Sequence, residues 1–364
     1  MCFVAFCLFF FFSITVQAQE VRKYSNEFMN IGIGARALAM SNAQVATVND
    51  VTSGFWNPAG MIGINHDVQF GGMHAEYFAG IAKFDYLGVA IPMENGERFL
   101  GISAIRFGVD DIPNTMELYA PDGTINYDRI TSFSVADYGF LISYAQKLRT
   151  EGLNIGGSVK IIHRTAGSFA TAWGFGLDFG MQYKRNNLHL GLMARDVTTT
   201  FNAWSFTFTD REKEVLAITG NEIPSNSLEL TAPRLILGGA YDFAIGENFR
   251  ITPELNVDIT TDGKRNVPVK TNFASFDPHL GLEATYQEII FLRAGVGNIQ
   301  QATDNKGDKT TMFQPNIGIG LQIGSVGIDY AFTDIGNQSD ALYSHVFSLK
   351  VGINRRPTAD DSSF

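Results

Sequence analysis

The links between strand-like segments alternate between short and long, and this alternation constrains the fold more than any single motif. After residue 65 we count fourteen segments with strand-like patterning. The links after even-numbered segments are tight, as at 94–97, 149–151, 185–187 and 324–325. Most links after odd-numbered segments are long, at 109–131, 199–229, 262–277, 299–311 and 335–343, whereas 78–81 and 166–169 are short. Short turns at one end and long loops at the other are typical of membrane β-barrels.

Within the segments, apolar side chains occupy every second position. In 173–183, Trp173 and Phe175 fall on one face, while Gly174 and Asp178 fall on the other. The same alternation recurs in 188–195, 316–323 and 326–333. Successive side chains of a strand point to opposite faces, and a membrane barrel turns its apolar face to lipid. The predicted fold class is therefore all-β, a 14-stranded antiparallel transmembrane β-barrel; a soluble all-β protein, with the same face in a packed core, is the alternative.

Composition narrows the function classes. The mean hydropathy of +0.02 is far below that of a helical membrane protein, and 30 Phe with 37 Gly suit a barrel with aromatic girdles and a crowded inner wall. The formal net charge of −10 and the lack of a basic patch exclude nucleic acid as the expected partner. The expected surroundings are outer-membrane lipid.

Four segments are predicted along the chain. Residues 1–18 are typical of a signal peptide ending at Val16-Gln17-Ala18, although no Lys or Arg precedes the apolar run, so a retained anchor helix is the alternative. Residues 19–65 form an N-terminal hatch, a short and partly helical segment that enters the barrel. Residues 66–354 form the barrel, and 355–364 form a polar tail. With an even strand number, both ends of the mature chain are expected in the periplasm.

No motif for catalysis is present, and neither an enzyme activity nor a cofactor or metal is expected. The six histidines show no metal-ligand spacing, and both cysteines, Cys2 and Cys7, fall in the predicted signal peptide. The run Asp304–Asp308 lacks calcium-loop spacing and is interpreted as a hairpin tip. The inward-facing charges are expected to line a hydrated or plugged lumen, with a transport pathway as the alternative; they are Lys160, Asp178, Asp242, Arg293, Asp329 and Lys350.

The long link 199–229 contains an unusual aromatic series. Phe201, Trp204, Phe206 and Phe208 are interleaved with polar residues. An exposed aromatic loop is typical of a contact with another protein, which makes these residues a candidate partner-binding loop. A strand that rises above the membrane and folds over the barrel mouth is the alternative.

The hatch carries a resemblance to a known family. Its stretches Ala35–Ala43 and Trp56-Asn57-Pro58-Ala59-Gly60 resemble the PorV/PorQ family of the type IX secretion system, within the FadL-like group of outer-membrane barrels. The motif-level resemblance covers residues 31–61, and the pattern-level resemblance covers the mature chain. Arg36, Trp56, Asn57, Pro58, Ala59 and Gly60 are the hatch-motif residues that it singles out.

Two functions follow as expectations from this resemblance. The first is a PorV-like barrel of Bacteroidota-type bacteria that binds the secretion translocon or the C-terminal sorting domains of secreted cargo and helps their export and surface attachment. The second is a FadL-like outer-membrane channel for hydrophobic small molecules, with a hydrophobic ligand or detergent in the lumen. The Gly- and charge-rich inner faces favour the first, and a purely structural role is the third alternative.

Overall fold

The computed structural model describes residues 25–78, 80–118, 124–303, 309–333 and 344–354. The predicted signal peptide and the predicted polar tail lie outside these ranges, as does the hairpin-tip run Asp304–Asp308. Within the described part of the chain, a mostly non-sheet segment precedes a long series of strands that begins at Val68.

The described ranges contain eighteen β-strands. They are β1 (Val68–Tyr77), β2 (Ala82–Met93), β3 (Arg98–Asn114), β4 (Thr131–Lys147), β5 (Leu153–Ala166), β6 (Ala170–Arg185), β7 (Leu188–Arg195), β8 (Thr200–Phe206), β9 (Ser227–Thr231), β10 (Arg234–Tyr241), β11 (Phe243–Ile245), β12 (Phe249–Thr260), β13 (Val269–Lys270), β14 (Ser275–Tyr286), β15 (Ile290–Thr303), β16 (Lys309–Ile323), β17 (Val326–Thr333) and β18 (Ser344–Ile353). All belong to one sheet, and the strand pairs are antiparallel.

The sheet closes on itself, since β18 pairs with β1 from Val68↔Ile353 to Glu76↔His345. β7 and β8 are two parts of one wall strand because both pair with β6. β9, β10 and β11 are parts of the next wall strand, whereas β13 is a two-residue strand within a loop. The wall thus has 14 strands, which confirms the predicted barrel. Closure leaves no strand edge unpaired, which a hydrocarbon environment requires.

The wall follows the predicted alternation. On β6, Trp173 and Phe175 point outward with 58% and 39% exposure, while Ala172, Gly174 and Asp178 are buried on the inner side. Outward leucine, isoleucine and phenylalanine recur on the other wall strands. An apolar surface of this extent is incompatible with a water-facing monomer and suits contact with lipid.

Three strands, β3, β15 and β16, are longer than the sequence predicted. The link expected at 109–131 begins only after Asn114, and most of the link expected at 299–311 is strand, since β15 ends at Thr303 and β16 begins at Lys309. Register shifts near Asp111 and Asn298 explain the error. Both residues have positive φ and lie in β-bulges, so polar residues that imitate a loop sit inside a strand.

The described chain also contains short helices. The hatch contains a 3-10 helix (Glu27–Asn30), α1 (Ala35–Ala39), α2 (Ser53–Trp56) and a second 3-10 helix (Pro58–Gly63). Two further 3-10 turns lie at Glu94–Gly96 and Tyr127–Arg129. α3 (Asp210–Ile218) begins with a capping box, in which Thr209 and Glu212 satisfy each other's backbone N–H. In the described residues, none of the helices combines the length and hydropathy needed to cross a bilayer.

The hatch lies inside the barrel, and the hydrophobic core is formed between it and the wall. Ile33, Met40 and Met61 of the hatch are fully buried, and the inner faces of β2–β5 meet the hatch with Phe84, Tyr86, Ile105, Leu141 and Ile162. The Gly- and charge-rich inner faces predicted for segments such as 173–183 and 326–333 do not extend to this arc of the wall. The apolar residues there pack against protein, because the hatch replaces the water that an open lumen would hold.

Inward glycines provide room for the hatch backbone. A Cβ atom on Gly156 would lie 2.7 Å from Ala59 N, and one on Gly191 would lie 2.5 Å from Val45 O. Real Cβ atoms do not approach other atoms this closely, because interiors are already close-packed. The glycines of the inner wall thus fit the wall to the hatch at the end of the barrel that carries the short turns.

Candidate functional site: the hatch and the luminal cavity

Asn57 holds the hatch to the wall through backbone carbonyls. Its Nδ2 lies 3.0 Å from Val45 O in the hatch, and 3.0 Å and 3.3 Å from Met181 O and Leu192 O in β6 and β7. Its Oδ1 accepts from Ala59 N at 3.3 Å and caps the second 3-10 helix of the hatch. The side chain is completely buried. Asn57 thus donates to carbonyl oxygens from three segments and accepts from Ala59 N, a combination that neither a hydrophobic nor a cationic side chain provides.

The rest of the motif fits around this amide. Pro58 occupies the first position of the 3-10 helix, where its missing N–H costs nothing. Gly60 is required for space, since a Cβ there would lie 2.3 Å from Val48 O. The Oγ atoms of Ser143 and Ser158 donate to Gly54 O at 3.3 Å and 2.9 Å. We call Gly54 and Asn57–Gly60, with these wall contacts, the neutral face of the hatch.

Arg36 holds the opposite side through charge. Its Nε donates to Glu283 Oε2 of β14 at 2.9 Å, and its Nη2 donates to Thr47 Oγ1 at 3.1 Å. Thr47 in turn donates to Glu254 of β12 at 2.5 Å. Arg36 therefore links the first turn of α1 to two wall strands.

The Arg36–Glu283 pair begins a series of alternating charges. Glu283 accepts from Arg293 at 2.7 Å, and Arg293 donates to Asp329 at 2.6 Å. Asp329 pairs with Lys350 at 3.2 Å, and Lys350 pairs with Asp50 of the hatch at 3.0 Å. The series thus begins and ends on the hatch. We call Arg36 and Asp50, with these four wall partners, the charged face of the hatch.

Three of the six predicted inward charges help to hold the hatch, and the other three form ion pairs within the wall. Arg293, Asp329 and Lys350 belong to the charged face, and Lys160 pairs with Asp178 and Asp196 at 2.9 Å and 2.6 Å. Asp242 pairs with His189 at 2.8 Å. A plugged lumen, one part of the predicted interpretation, describes this half of the barrel.

Asp50 shows how strongly the charged face favours ionised groups. Burial alone would raise the pKa of Asp50, but the Lys350 ammonium, the Thr52 hydroxyl and Arg36 lower that pKa from 3.8 to about 2. The Asp50 carboxylate therefore stays charged in the folded protein through the physiological pH range. A buried pair of this kind is costly to break from one side, because the remaining charge has no partner.

Trp56 lies between the hatch and a cavity. Its Nε1 donates to Ile33 O at 2.9 Å, and its ring forms an edge contact with Phe55, with centroids 5.0 Å apart. The guanidinium of Arg195, from β7, lies 4.5 Å from the Phe55 ring centroid and 5.2 Å from that of Trp56. Cation–π contacts at this distance are attractive. The hatch-motif tryptophan thus meets an arginine of the wall.

The cavity occupies the lumen on the long-loop side of the hatch and has a volume of about 810 Å³. Its floor is formed by hatch residues that include Ile31, Leu38 and Trp56. Tyr77 and Phe107 continue this apolar side, while the opposite side carries the charged or polar residues Arg234, Asp258, Thr260, Arg265, Asp277 and His279. The cavity is therefore amphipathic. Its volume falls in the range of pockets that bind small molecules.

The hatch packs closely against the wall beneath this cavity. Two further voids that border the hatch have volumes of about 10 and 20 Å³. A space of that size holds no more than a water molecule or two. A ligand in the large cavity would therefore need the hatch to move before it passed toward the short-turn end.

The aromatic series of the predicted partner-binding loop lies in a wall strand. Phe201, Trp204 and Phe206 belong to β8, which pairs with β6 and β9, so the loop itself begins only at Thr207. Phe201 points outward, whereas Trp204 and Phe206 are on the luminal side. Phe206 and Phe208 stack with centroids 6.4 Å apart, and Phe208 stacks on Phe169 at 6.1 Å. Three residues of the series thus belong to a strand, as the predicted alternative requires, and the series is split between two faces. A contact of these residues with another protein stays a prediction.

The histidines are distributed over both faces of the wall. His74, His163 and His345 are on the outer side, where His163 stacks on Trp173 with centroids 4.1 Å apart. His279 is in the cavity, 3.8 Å from Asp277 and 3.9 Å from Asp258. Within the ranges that the structure describes, no cluster of three or more His, Cys, Asp or Glu residues is arranged to hold a metal ion.

Sequence reasoning missed several residues of the site. Arg195, Arg234, Glu254 and Glu283 were not singled out, although each is a charged residue at an inward position of an alternating segment. Their position on the inner face of an alternating segment is the signal that could have identified them. The side of the strand alone does not show which of these residues contacts the hatch and which lines the cavity.

Comparisons with known proteins agree on the fold. No protein-family model matches the chain, and no curated protein matches it significantly. Among solved structures, it is similar to the CymD monoaromatic hydrocarbon channel, with a TM-score of 0.54, 13% identity, and coverage of 89% of this chain and 98% of that one. For the Ralstonia pickettii toluene transporter TbuX, the TM-score is 0.52 and the identity 12%, with coverage of 89% of this chain and 99% of that one. For a Pseudomonas aeruginosa FadL homologue, the TM-score is 0.51 and the identity 13%, with coverage of 88% of this chain and 98% of that one.

These similarities define the class of fold. The chain forms a closed antiparallel β-barrel of 14 strands with the FadL-like architecture, and an N-terminal segment lies in its lumen. At this level of identity, the likeness concerns the fold and leaves the ligand to be argued from the cavity.

Proposed function

We propose that this protein is an outer-membrane channel of the FadL-like type, which binds a small, largely hydrophobic molecule in its lumen and passes it across the membrane. The single observation that carries this proposal is the cavity of about 810 Å³ on the long-loop side of the hatch. A barrel with a ligand-sized chamber above a separate plug has the parts that a gated channel needs. The structural neighbours whose names refer to toluene or hydrocarbon transport support the same choice.

The proposed orientation follows from the loop asymmetry. The long loops face the cell exterior, and both chain ends lie in the periplasm. The cavity is then the first compartment that an incoming molecule meets, and the hatch is the barrier behind it. Outer-membrane lipid surrounds the apolar outer face.

Locking the hatch tests this proposal. A Cβ placed on Gly54 would lie 3.4 Å from Ser143 Cβ, a separation close to that found in disulfides. The double variant Gly54→Cys with Ser143→Cys would tie the hatch to β4. We expect intact cells with the oxidised double variant to admit the fluorescent probe N-phenylnaphthylamine more slowly than cells with the natural chain, and reductant to restore entry.

The single variant Gly54→Cys is the matched control, since it has the same strain without the crosslink. Ser143→Cys alone controls for loss of the hydrogen bond to Gly54 O. If the oxidised double variant and a strain without the protein both admit the probe at the natural rate, the channel proposal is wrong.

A second candidate is supported by the hatch motif. The residues that resemble the PorV/PorQ family, Arg36 and Trp56–Gly60, are the ones that fix the hatch, so the motif preserves a plug rather than an open pore. A permanently plugged barrel suits a protein that binds other proteins. We therefore keep a PorV-like role in type IX secretion, with translocon or cargo sorting domains as partners, as the alternative function.

A purification from the native outer membrane separates the two functions. Under the second candidate, tagged protein recovers a translocon component or a sorting-domain cargo, and the oxidised hatch lock leaves that recovery unchanged. Recovery of no protein partner, together with probe entry that depends on hatch release, would reject the secretion role.

A further inference from the structure

Two neighbouring short turns carry a concentration of positive charge. Arg149 lies in the turn between β4 and β5, and β6 ends with Lys184 and Arg185 at the next short turn. Lys184 N donates to Gly152 O at 2.9 Å, so the two turns lie side by side. Lys147, at the end of β4, adds a fourth cation, and all four side chains are exposed. We call Lys147, Arg149, Lys184 and Arg185 the basic turns.

The basic turns differ from the other short turns in how their cations are paired. Elsewhere at this end of the barrel, Arg98 pairs with Glu94 at 2.5 Å, and Arg250 pairs with Glu288 at 2.6 Å. Within the described part of the chain, no cation of the basic turns forms an ion pair, whereas those two arginines do. The difference indicates that the basic turns have charge available for a partner outside the chain.

The acidic residues nearby do not balance this charge. Glu151 lies in the first turn, and Glu97 adjoins Lys147, whose N donates to Glu97 O at 2.9 Å. Asp242, on the next wall strand, already pairs with His189 at 2.8 Å. Two carboxylates thus stand beside four cations, in a chain whose net charge is −10. A local excess of positive charge on an acidic protein favours an anionic partner at this place.

The height of the basic turns on the wall follows from β6. Trp173 and Tyr183 both lie on its outer face, and the side chains between them on that face are apolar: Phe175, Leu177, Phe179 and Met181. Ten residues of strand span about 33 Å, which is about 25 Å of height at the usual tilt and equals the apolar band of a membrane barrel. Trp173 and Tyr183 therefore mark the two aromatic edges of this band. Arg185, two residues further on the same face, lies at the level of the lipid headgroups.

The surface around Arg185 fits a lipid better than a protein. Its cross-strand partner is Leu188, which points outward with 39% exposure, so the guanidinium directly adjoins the lipid-facing surface. Tyr144 of β4 is the exposed aromatic residue above the first turn. The turns themselves span only 148–152 and 186–187, which is little surface for a protein interface. Guanidinium groups match the geometry of a phosphate.

We propose that the basic turns bind the phosphate of an anionic phospholipid in the leaflet that surrounds the short-turn end of the barrel. With the proposed orientation, this is the inner leaflet of the outer membrane. Each Lys or Arg near an anionic membrane surface adds attraction. The inference goes beyond the channel function, because it concerns how the wall is seated in lipid and not what passes through the lumen.

Quenching of tryptophan fluorescence by brominated lipids provides the test. Tyr183→Trp places an emitter beside the basic turns, and Trp173→Phe with Trp204→Phe leaves Trp56 of the hatch as the only other tryptophan. The protein is reconstituted in phosphatidylcholine vesicles in which dibromo-phosphatidylglycerol or dibromo-phosphatidylcholine replaces the same fraction of the lipid. Because bromine quenches only at contact, the ratio of quenching gives the relative affinity. We expect phosphatidylglycerol to be preferred by at least about fivefold, the factor that one cation near an anionic headgroup supports.

Paired arginine variants assign the preference to the basic turns. Arg149→Gln with Arg185→Gln should lower it to about twofold or less. Arg98→Gln with Arg250→Gln is the matched control, since it removes the same charge from two short turns whose arginines are already paired, and the preference should persist. Arg149→Lys with Arg185→Lys keeps the charge and should retain most of the preference, which separates loss of charge from a fold defect.

A second reporter shows whether the preference is local. Trp173, in a protein with Trp204→Phe and the natural Tyr183, reports from the other aromatic edge of β6 and should be quenched equally by the two lipids. A phosphatidylglycerol preference of the same size at Trp173 would mean that the whole barrel attracts anionic lipid, and the inference would be wrong.

The remaining outcomes also decide the inference. Equal quenching at position 183, or a preference that survives Arg149→Gln with Arg185→Gln, overturns it. If the two lipids quench equally while these substitutions abolish recovery of a periplasmic protein from the native membrane, the partner is an acidic protein and the lipid inference is wrong. None of these results bears on the channel function, which probe entry through the hatch-locked barrel decides independently.

Discussion

The two faces of the hatch are held by opposite kinds of chemistry. On the neutral face, Asn57 and Gly54 bond through amides, hydroxyls and carbonyl oxygens, and the wall glycines let the backbones approach. On the charged face, Arg36 and Asp50 are joined to the wall by a series of ion pairs. This difference indicates which contacts of the hatch are able to weaken when the pH changes. The hydrogen bonds and close packing of the neutral face involve no titrating group, whereas the ion pairs of the charged face are lost when a carboxylate is protonated.

The largest expected effect comes from the centre of the charged face. Glu283→Gln removes the carboxylate that binds both Arg36 and Arg293, at 2.9 Å and 2.7 Å. Breaking a buried pair from one side costs about 3–5 kcal/mol. We expect hatch release, monitored as maleimide labelling of Ser53→Cys, to accelerate markedly. Glu288→Gln, at an exposed pair with Arg250, is the control and should label at the natural rate.

An intermediate effect is expected on the neutral face. Asn57→Ala removes the amide donor of Met181 O and Leu192 O and leaves Val45 O with Gln182 Nε2 as its side-chain donor. Loss of a buried partner costs about 1–3 kcal/mol. The variant should label Ser53→Cys faster and admit more antibiotic into cells, though less than Glu283→Gln does. Unchanged labelling and unchanged uptake would show that the amide is not what holds this face.

The two faces also differ in how far the sequence predicts them. The neutral face rests on Asn57-Pro58-Ala59-Gly60, a compact motif whose turn-forming residues are adjacent in the chain. The charged face joins positions 247 and 300 residues apart, as in Arg36–Glu283 and Asp50–Lys350. Only the curvature and register of the closed wall bring such positions together, so no local pattern reveals them. The barrel itself was predictable because the period-two alternation is local to each strand.

The errors in the strand ends and the omission of Arg195 also arise because contacts between distant residues decide the structure there. Asp111 and Asn298 are polar and favour turns, but they occupy bulges inside β3 and β15 because neighbouring strands continue the pairing on both sides. Arg195 was overlooked because an inward arginine on a barrel strand is ordinary by itself. Its contact with Phe55 and Trp56 of the hatch depends on packing across the lumen, which no local pattern shows.

Acid should open the charged face and leave the neutral face unaffected. The pKa of Asp50 is lowered to about 2 in the folded protein from 3.8, so its contribution is complete above the ordinary pKa and is lost as the pH falls from about 4 to 2. Linkage makes that contribution about 2 kcal/mol. Labelling of Ser53→Cys, with a reagent that reacts in acid, should rise over this window. In Asp50→Asn the rise should be smaller, whereas in Asn57→Ala it should persist.

Salt should have the smallest effect on the release rate of the hatch. The size of this effect distinguishes buried ion pairs from exposed ones. The pairs of Arg293 have exposures of 3–7% and are shielded from mobile ions. We expect the release rate of the hatch at neutral pH to change by less than about twofold between 0.1 M and 1 M salt, since screening acts mainly on exposed charges. If the release rate instead rose steeply with salt, water and ions would reach these pairs. The hatch would then be hydrated on its charged face, although its neutral face packs tightly around Asn57.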